Sequence, residues 1–206
     1  MNRVFAFLIA AVASLSASAA TVYQYVGPNY TSASSPYTTA QRVTGQFTTA
    51  SPLAPNLPLA SVLAQVASYS FSDGVNSYAS SDPNARVIEF KVATDAAGAI
   101  SGWTVELDVW ESGTSPHTAG DLVSSMNVIG SGDLVLDSAN CSTVGTSVEG
   151  IGDSCTSTTG GSVASNLSSP GTWSIVATPV APVAVAVPTL SEWMTLALAL
   201  LLASVA

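Results

Sequence analysis

The chain is 206 residues long, 48% hydrophobic and 8% charged, with 13 acidic side chains against four basic ones and a formal net charge of −9. Soluble domains average roughly 25% charged residues, so this composition excludes an ordinary cytoplasmic domain along the whole length and places apolar excess in segments outside a fold. The negative balance argues against partners that present phosphate, nucleic acid and anionic lipid headgroups alike.

Met1-Asn2-Arg3 sets one positive charge ahead of the apolar run Val4 to Ala13, and Ser14 to Ala20 is a small-residue stretch with cut sites after Ala19 or Ala20. That three-part layout predicts a secretory signal peptide over residues 1–20, forming a signal helix whose apolar core is too short to remain as an anchor. Signal peptidase is therefore an expected partner. Once Arg3 is removed, Arg42, Arg86 and Lys91 are the basic groups left against all 13 acids.

Residues 21–178 are predicted to form one all-β domain, an antiparallel two-sheet sandwich, because short alternating runs are cut repeatedly by turn residues. Val22 to Val26 and Val43 to Thr49 are strand candidates. Leu57 to Val66 is proline-led and then rich in Ala and Leu, which predicts a short helix or a loop crossing. Ala67 to Ser72 is a further strand. The clearest pair is Arg86 to Thr94 and Ile100 to Glu111, joined by Asp95-Ala96-Ala97-Gly98-Ala99, a hairpin-type connection. Alternation puts Ile88, Phe90 and Val92 on one face of the first strand, opposite Val87, Glu89 and Lys91. In the second, Trp103, Val105, Leu107 and Val109 oppose Thr104, Glu106, Asp108 and Trp110. Leu122 to Ile129, Asp133 to Asp137 and Trp173 to Ala177 complete the candidates.

Cys141 and Cys155 are the only two cysteines. An even pair in a chain bound for an oxidising compartment predicts a disulfide. Closing the Ser-, Thr- and Gly-rich stretch between them would contribute ~3 kcal/mol in the chain-entropy picture.

From about residue 179 the composition changes: Pro179, Pro182 and Pro188 are spaced through Ala and Val. This predicts an extended, semi-rigid linker over 179–187. Residues 188–206 follow, ending in Met194 to Ala206, an uncharged run of mostly Leu and Ala that would form an apolar helix of ~20 Å, short of a ~30 Å hydrocarbon core.

Val187-Pro188-Thr189-Leu190-Ser191-Glu192-Trp193 resembles the I-P-T-L-x-x-W signature of the IPTL-CTERM sorting domain, a relative of PEP-CTERM tails. The resemblance covers about the last twenty residues. It implies recognition of Pro188, Thr189, Leu190 and Trp193 by an exosortase-type membrane enzyme, a transient stay in the membrane, and release to, or attachment at, the cell surface. Val187 stands where the family has Ile. The chain stops at Ala206 without the basic cluster that closes such tails and holds that end in the cytoplasm, so the C-terminus is read as clipped. The body of the domain, through Tyr23-Gln24-Tyr25, Ser35-Pro36-Tyr37-Thr38-Thr39 and Val43-Thr44-Gly45-Gln46-Phe47, also looks like the domain ahead of PEP-CTERM tails in some exported proteins. That likeness implies no activity.

The domain offers little catalytic vocabulary. Its one histidine, His117, falls in the loop Gly113 to Thr118 and is expected to be solvated, which leaves a Ser/His/acid triad without support. No metal site and no cofactor are expected: zinc lacks ligands. Asp73, Asp82, Asp95, Asp121, Asp133, Asp137 and Asp153 lie in or near predicted turns and are the oxygen ligands calcium would use, but without EF-hand or nonapeptide spacing they read first as turn formers, with calcium the open alternative. Glu106 and Asp108 share one strand face about 7 Å apart, a spacing open to a glycosidase pair. Trp110 continues that face, so the three residues could form a sugar-binding platform on extracellular polysaccharide; the plainer alternative is a Trp that covers the sheet edge or packs under a loop. The leading expectation is a non-enzymatic exported protein sorted to the cell surface or extracellular matrix, with a carbohydrate-binding module and a secreted hydrolase as the rivals.

Overall fold

The computed structural model describes residues 20–176. The expected signal helix, the linker after Thr178 and the sorting tail with Pro188, Thr189, Leu190 and Trp193 lie outside them. Among the described residues no helix is long and apolar enough to cross a membrane.

The fold is all-β and sandwich-like, built from antiparallel strands. In chain order they are β1 (Thr21–Val26), β2 (Ser32–Ala33), β3 (Thr44–Thr49), β4 (Ala60–Ser61), β5 (Val66–Ser72), β6 (Ser77–Ala79), β7 (Ala85–Thr94), β8 (Ile100–Trp110), β9 (Leu122–Ile129), β10 (Gly132–Gly145), β11 (Ser154–Thr159), β12 (Ser162–Asn166) and β13 (Thr172–Val176). One sheet has the order β13-β1-β3-β5-β6. The other runs β2-β12-β10-β9-β8-β7-β4, with β11 paired to β10 beside that path. The stretch expected to hold a helix or a crossing is mostly the latter: only Leu63–Gln65 make a 3-10 turn, next to β4.

The core forms where the two inner faces meet. Tyr23, Tyr25, Phe47, Tyr69 and Phe71 of the smaller sheet pack against Phe90, Val105, Leu107, Met126 and Val135 of the larger one. Aromatic pairs bind the layers together: Tyr23 stacks on its cross-strand partner Phe47 at 4.8 Å, and Phe47 meets Phe90 edge-on at 5.2 Å. Such pairs contribute about 0.5–1.5 kcal/mol beyond the area they bury. Gly45 is required opposite Phe71, because a Cβ there would lie 2.2 Å from the ring.

Two irregularities change which side chains face where. In β7 the register against β8 slips between Val87 and Glu89, so Ile88 is the extra residue of a bulge. Val87 therefore joins the core, and Ile88 turns to the outer face, contrary to simple alternation. In β10 the register slips between Leu136 and Ala139, where Ser138 adopts a left-handed φ of 52°. Beyond that bend β10 pairs with β11 rather than β12. The β10–β11 hairpin then folds back over the outer face of its own sheet and comes close to β7, three strands away.

Two of the expected turn aspartates are also fully buried, and Asp73 still caps its turn. Asp73 takes the hydroxyls of Tyr37 and Tyr78, each at 2.8 Å, and the backbone N–H groups of Val75 and Asn76. Asp133 accepts the Tyr25 hydroxyl at 2.5 Å, and its other oxygen lies against Gly27, where a Cβ would sit 2.1 Å away. Desolvation outweighs the Tyr25 hydrogen bond and pushes the Asp133 carboxyl up to about 6.

Candidate functional site

The folded-back hairpin leaves a cleft of about 460 Å³ between itself and the outer face of the larger sheet, within the ~300–1,000 Å³ of ordinary small-molecule sites. Strand register builds its floor from two cross-strand rows. One runs Glu106 on β8, Asn127 on β9, Leu134 on β10; the other runs Asp108, Ser125, Leu136 on the same three strands. The floor is therefore acidic at one end and aliphatic at the other. The overhanging wall is Thr146, Ser147 and Val148, then Cys155 to Thr158 of β11.

Glu106 and Asp108, the pair singled out from the sequence, do share this face. They are not an exposed pair, however. Asp108 is only 2% exposed, and desolvation, partly offset by a hydrogen bond from Ser125 and reinforced by Glu106, pushes its carboxyl up to about 8. Glu106 is half-buried and is also raised, first by desolvation and then by the charge of Glu89 opposite it. Glu89 is in turn held by an ion pair with Lys91. Asn127 donates a long hydrogen bond of 3.4 Å to Glu106, while its own Oδ1 is buried without a partner.

A glycosidase divides labour between a protonated acid and an ionised partner, and the environments of such a pair push the two groups apart. Here burial raises both carboxyls, Asp108 to about 8 and Glu106 in the same direction.

Trp110 does not extend this floor as an open platform. It is 3% exposed, packed with Val123 and the cysteine pair, and stacked flat on His117 with centroids 4.2 Å apart. Its indole N–H donates to the Asp153 carbonyl at 3.0 Å. The plainer expectation of a Trp packed under a loop is the arrangement seen. His117 is likewise buried rather than solvated, with its backbone N–H at 2.6 Å and its Nδ1 at 2.9 Å from the Asp153 carboxylate. That is the His–Asp half of a triad, yet among the described residues no serine or threonine hydroxyl bonds the other ring nitrogen, so no nucleophile completes it.

Asp153 is the residue that sequence reasoning passed over. It sits in the left-handed region at φ 56° and gathers Arg86 at 2.9 Å as well as His117. Desolvation is the largest single influence and pushes its carboxyl up, but hydrogen bonds from His117, Arg86 and Ser115 together outweigh it and hold the carboxyl well below the usual carboxylate range. Nothing local distinguishes it from the other turn aspartates, because its partners are 36 and 67 residues away.

The disulfide joins Cys141 on β10 to Cys155 on β11. Together with Asp153 it pins the cleft wall. Glu149 adds a third tie, accepting the Phe90 backbone N–H at 2.9 Å and the Ser61 hydroxyl at 2.6 Å on the far side of the sheet.

Among the described residues no group of three or more His, Cys, Asp or Glu side chains is placed to hold a metal ion. Compared with family models, with curated proteins and with solved structures, the chain matches none.

Proposed function

We propose that the chain is a non-enzymatic exported protein, carried out by the N-terminal signal and sorted to the cell surface or extracellular matrix through its C-terminal tail. In this reading an exosortase-type membrane enzyme processes the tail after a transient stay in the membrane. The single observation that carries it is the two-ended layout: a signal-type segment at residues 1–20 and the Val187 to Trp193 motif followed by an apolar run, with one all-β domain between them.

Features of the domain support the reading. Its cysteines are joined, as suits an oxidising compartment. Among the described residues the His117–Asp153 pair meets no serine or threonine hydroxyl at its other ring nitrogen. The test is the intact mass of the protein recovered from native cells and medium, against a 20.7 kDa precursor. Loss of the first nineteen or twenty residues and of a piece beginning near Pro188 is the expected result. An exported protein that retains Met194 to Ala206 overturns the sorting proposal.

A further inference from the structure

The cleft has a composition that selects its ligand. Its polar end combines a carboxyl that is 98% withdrawn from solvent, a second half-buried carboxyl and a buried amide oxygen without a hydrogen-bond partner. Of these three, the Asn127 oxygen is the one without a hydrogen-bond partner, and a buried polar group left unpaired is costly until something bonds it. Anions gain nothing there, because the cleft residues include no Arg or Lys and Glu89 stands opposite Glu106. Cations find carboxyls that burial holds toward their neutral form, and among the described residues no third His, Cys, Asp or Glu side chain placed with them to hold a metal ion. The other end, on β10, is aliphatic, with Leu134 and Leu136 on the floor, while Ile88, turned into the cleft by the β7 bulge, flanks the carboxyls on their far side. The wall adds the hydroxyls of Ser147, Thr156 and Thr158.

We propose that this cleft binds a neutral saccharide unit, its C–H face laid on Leu134 and Leu136 and its hydroxyls bonded by Glu106, Asp108 and Asn127. A sugar presents that combination, an apolar ring face with hydroxyls at its rim that both donate and accept. Asn127 stands on the cleft floor beside the two carboxyls, and a neutral carboxyl at Asp108 donates to a sugar oxygen. Trp110 takes no part, being covered by His117. This site stands independently of how the protein reaches its destination.

The experiment titrates the full chain with cellohexaose, maltohexaose and laminarihexaose, and with hexagalacturonate as an anionic control, by isothermal calorimetry at pH 7. At least one neutral hexasaccharide binds and the uronate does not. Asn127→Ala and Glu106→Ala each weaken that binding at least tenfold. Glu106→Gln, which keeps the hydrogen-bonding shape without charge, stays within about threefold, and Leu134→Asp, at a position 37% exposed and so tolerant of a polar side chain, removes the apolar floor and weakens binding at least tenfold. Thermal melts confirm that each variant folds. Absence of binding across the neutral panel, equal binding of the uronate, or binding unchanged in Leu134→Asp overturns the proposal. Release of shorter sugars during the titration, lost in Glu106→Gln, would replace it with hydrolysis and contradict the non-enzymatic reading separately.

Discussion

Single carboxyls set how this domain responds to pH. Folded Asp108 keeps its proton up to about pH 8, whereas an unfolded aspartate releases it near 3.9. Between those values the folded state holds the extra proton, so stability is full at the acid end of the window and falls as pH rises through it. Asp133 adds a shorter limb of the same sign, ending at about 6. Chemical denaturation at pH 5 and pH 8 should show the wild-type chain losing at least about 2 kcal/mol more than Asp108→Asn over that interval. Asp153 works in the opposite direction: its carboxyl is held low, so its contribution is complete above the unfolded value and is lost only as pH falls below about 4. Asp153→Ala strands the Arg86 and His117 groups that face it and should cost roughly 2–3 kcal/mol at pH 7, measured by the same unfolding curves. Sequence alone places Asp108 on a strand face without showing that the face is covered, and it does not distinguish Asp133 or Asp153 from Asp82 or Asp95, which cap ordinary turns at 2.8 Å from a backbone N–H, because what separates them is burial and partners far along the chain.

At the level of elements, legibility followed the regularity of alternation. The β7–β8 hairpin was readable to within a residue or two because its second strand alternates apolar and polar side chains over most of its length. Ile88 was misassigned for the same reason: a bulge breaks parity, and nothing in the residue types around Val87 and Glu89 announces it. β10 was visible only as far as Asp137, where Ser138 bends the strand and its continuation, Asn140 to Gly145, carries too little apolar pattern to look like sheet. β11 and β12, rich in Ser and Thr, were invisible as strands, and β11 is held by a covalent link and by pairing with β10 rather than by propensity. The cleft could not be foreseen, since it exists only because that hairpin folds over. Cys141→Ser with Cys155→Ser should therefore lower stability by about 3 kcal/mol, roughly 6–12 °C in melting temperature for a domain of this size. Hydrogen exchange should show the loss concentrated in β11 and the 146–153 loop, with β7 and β8 protected as before; an even loss across both sheets would mean that the hairpin is not an independent unit.

For the whole molecule, 13 acids face three basic groups once the first twenty residues are set aside, and two of those three, Arg86 and Lys91, are committed to Asp153 and Glu89. Self-repulsion on such a body is relieved by screening, so raising sodium chloride from 20 mM to 300 mM should increase the melting temperature by a few degrees; a decrease would place the balance with the ion pairs instead. The pairing of Val22 with Val176 carries a mechanical consequence. It brings the start of β1 and the end of β13 side by side at one corner of the smaller sheet, with β13 on the rim and Ile175 half in solvent. A load entering through the residues after Val176 would meet the β1–β13 hydrogen bonds one at a time, as a zipper is opened, rather than all together in shear. If the protein is ever tethered by that end, the first thing to yield under tension is a single five-residue strand, and because Trp173 on that strand also packs against Tyr25 and Phe47, its departure would loosen the aromatic core behind it.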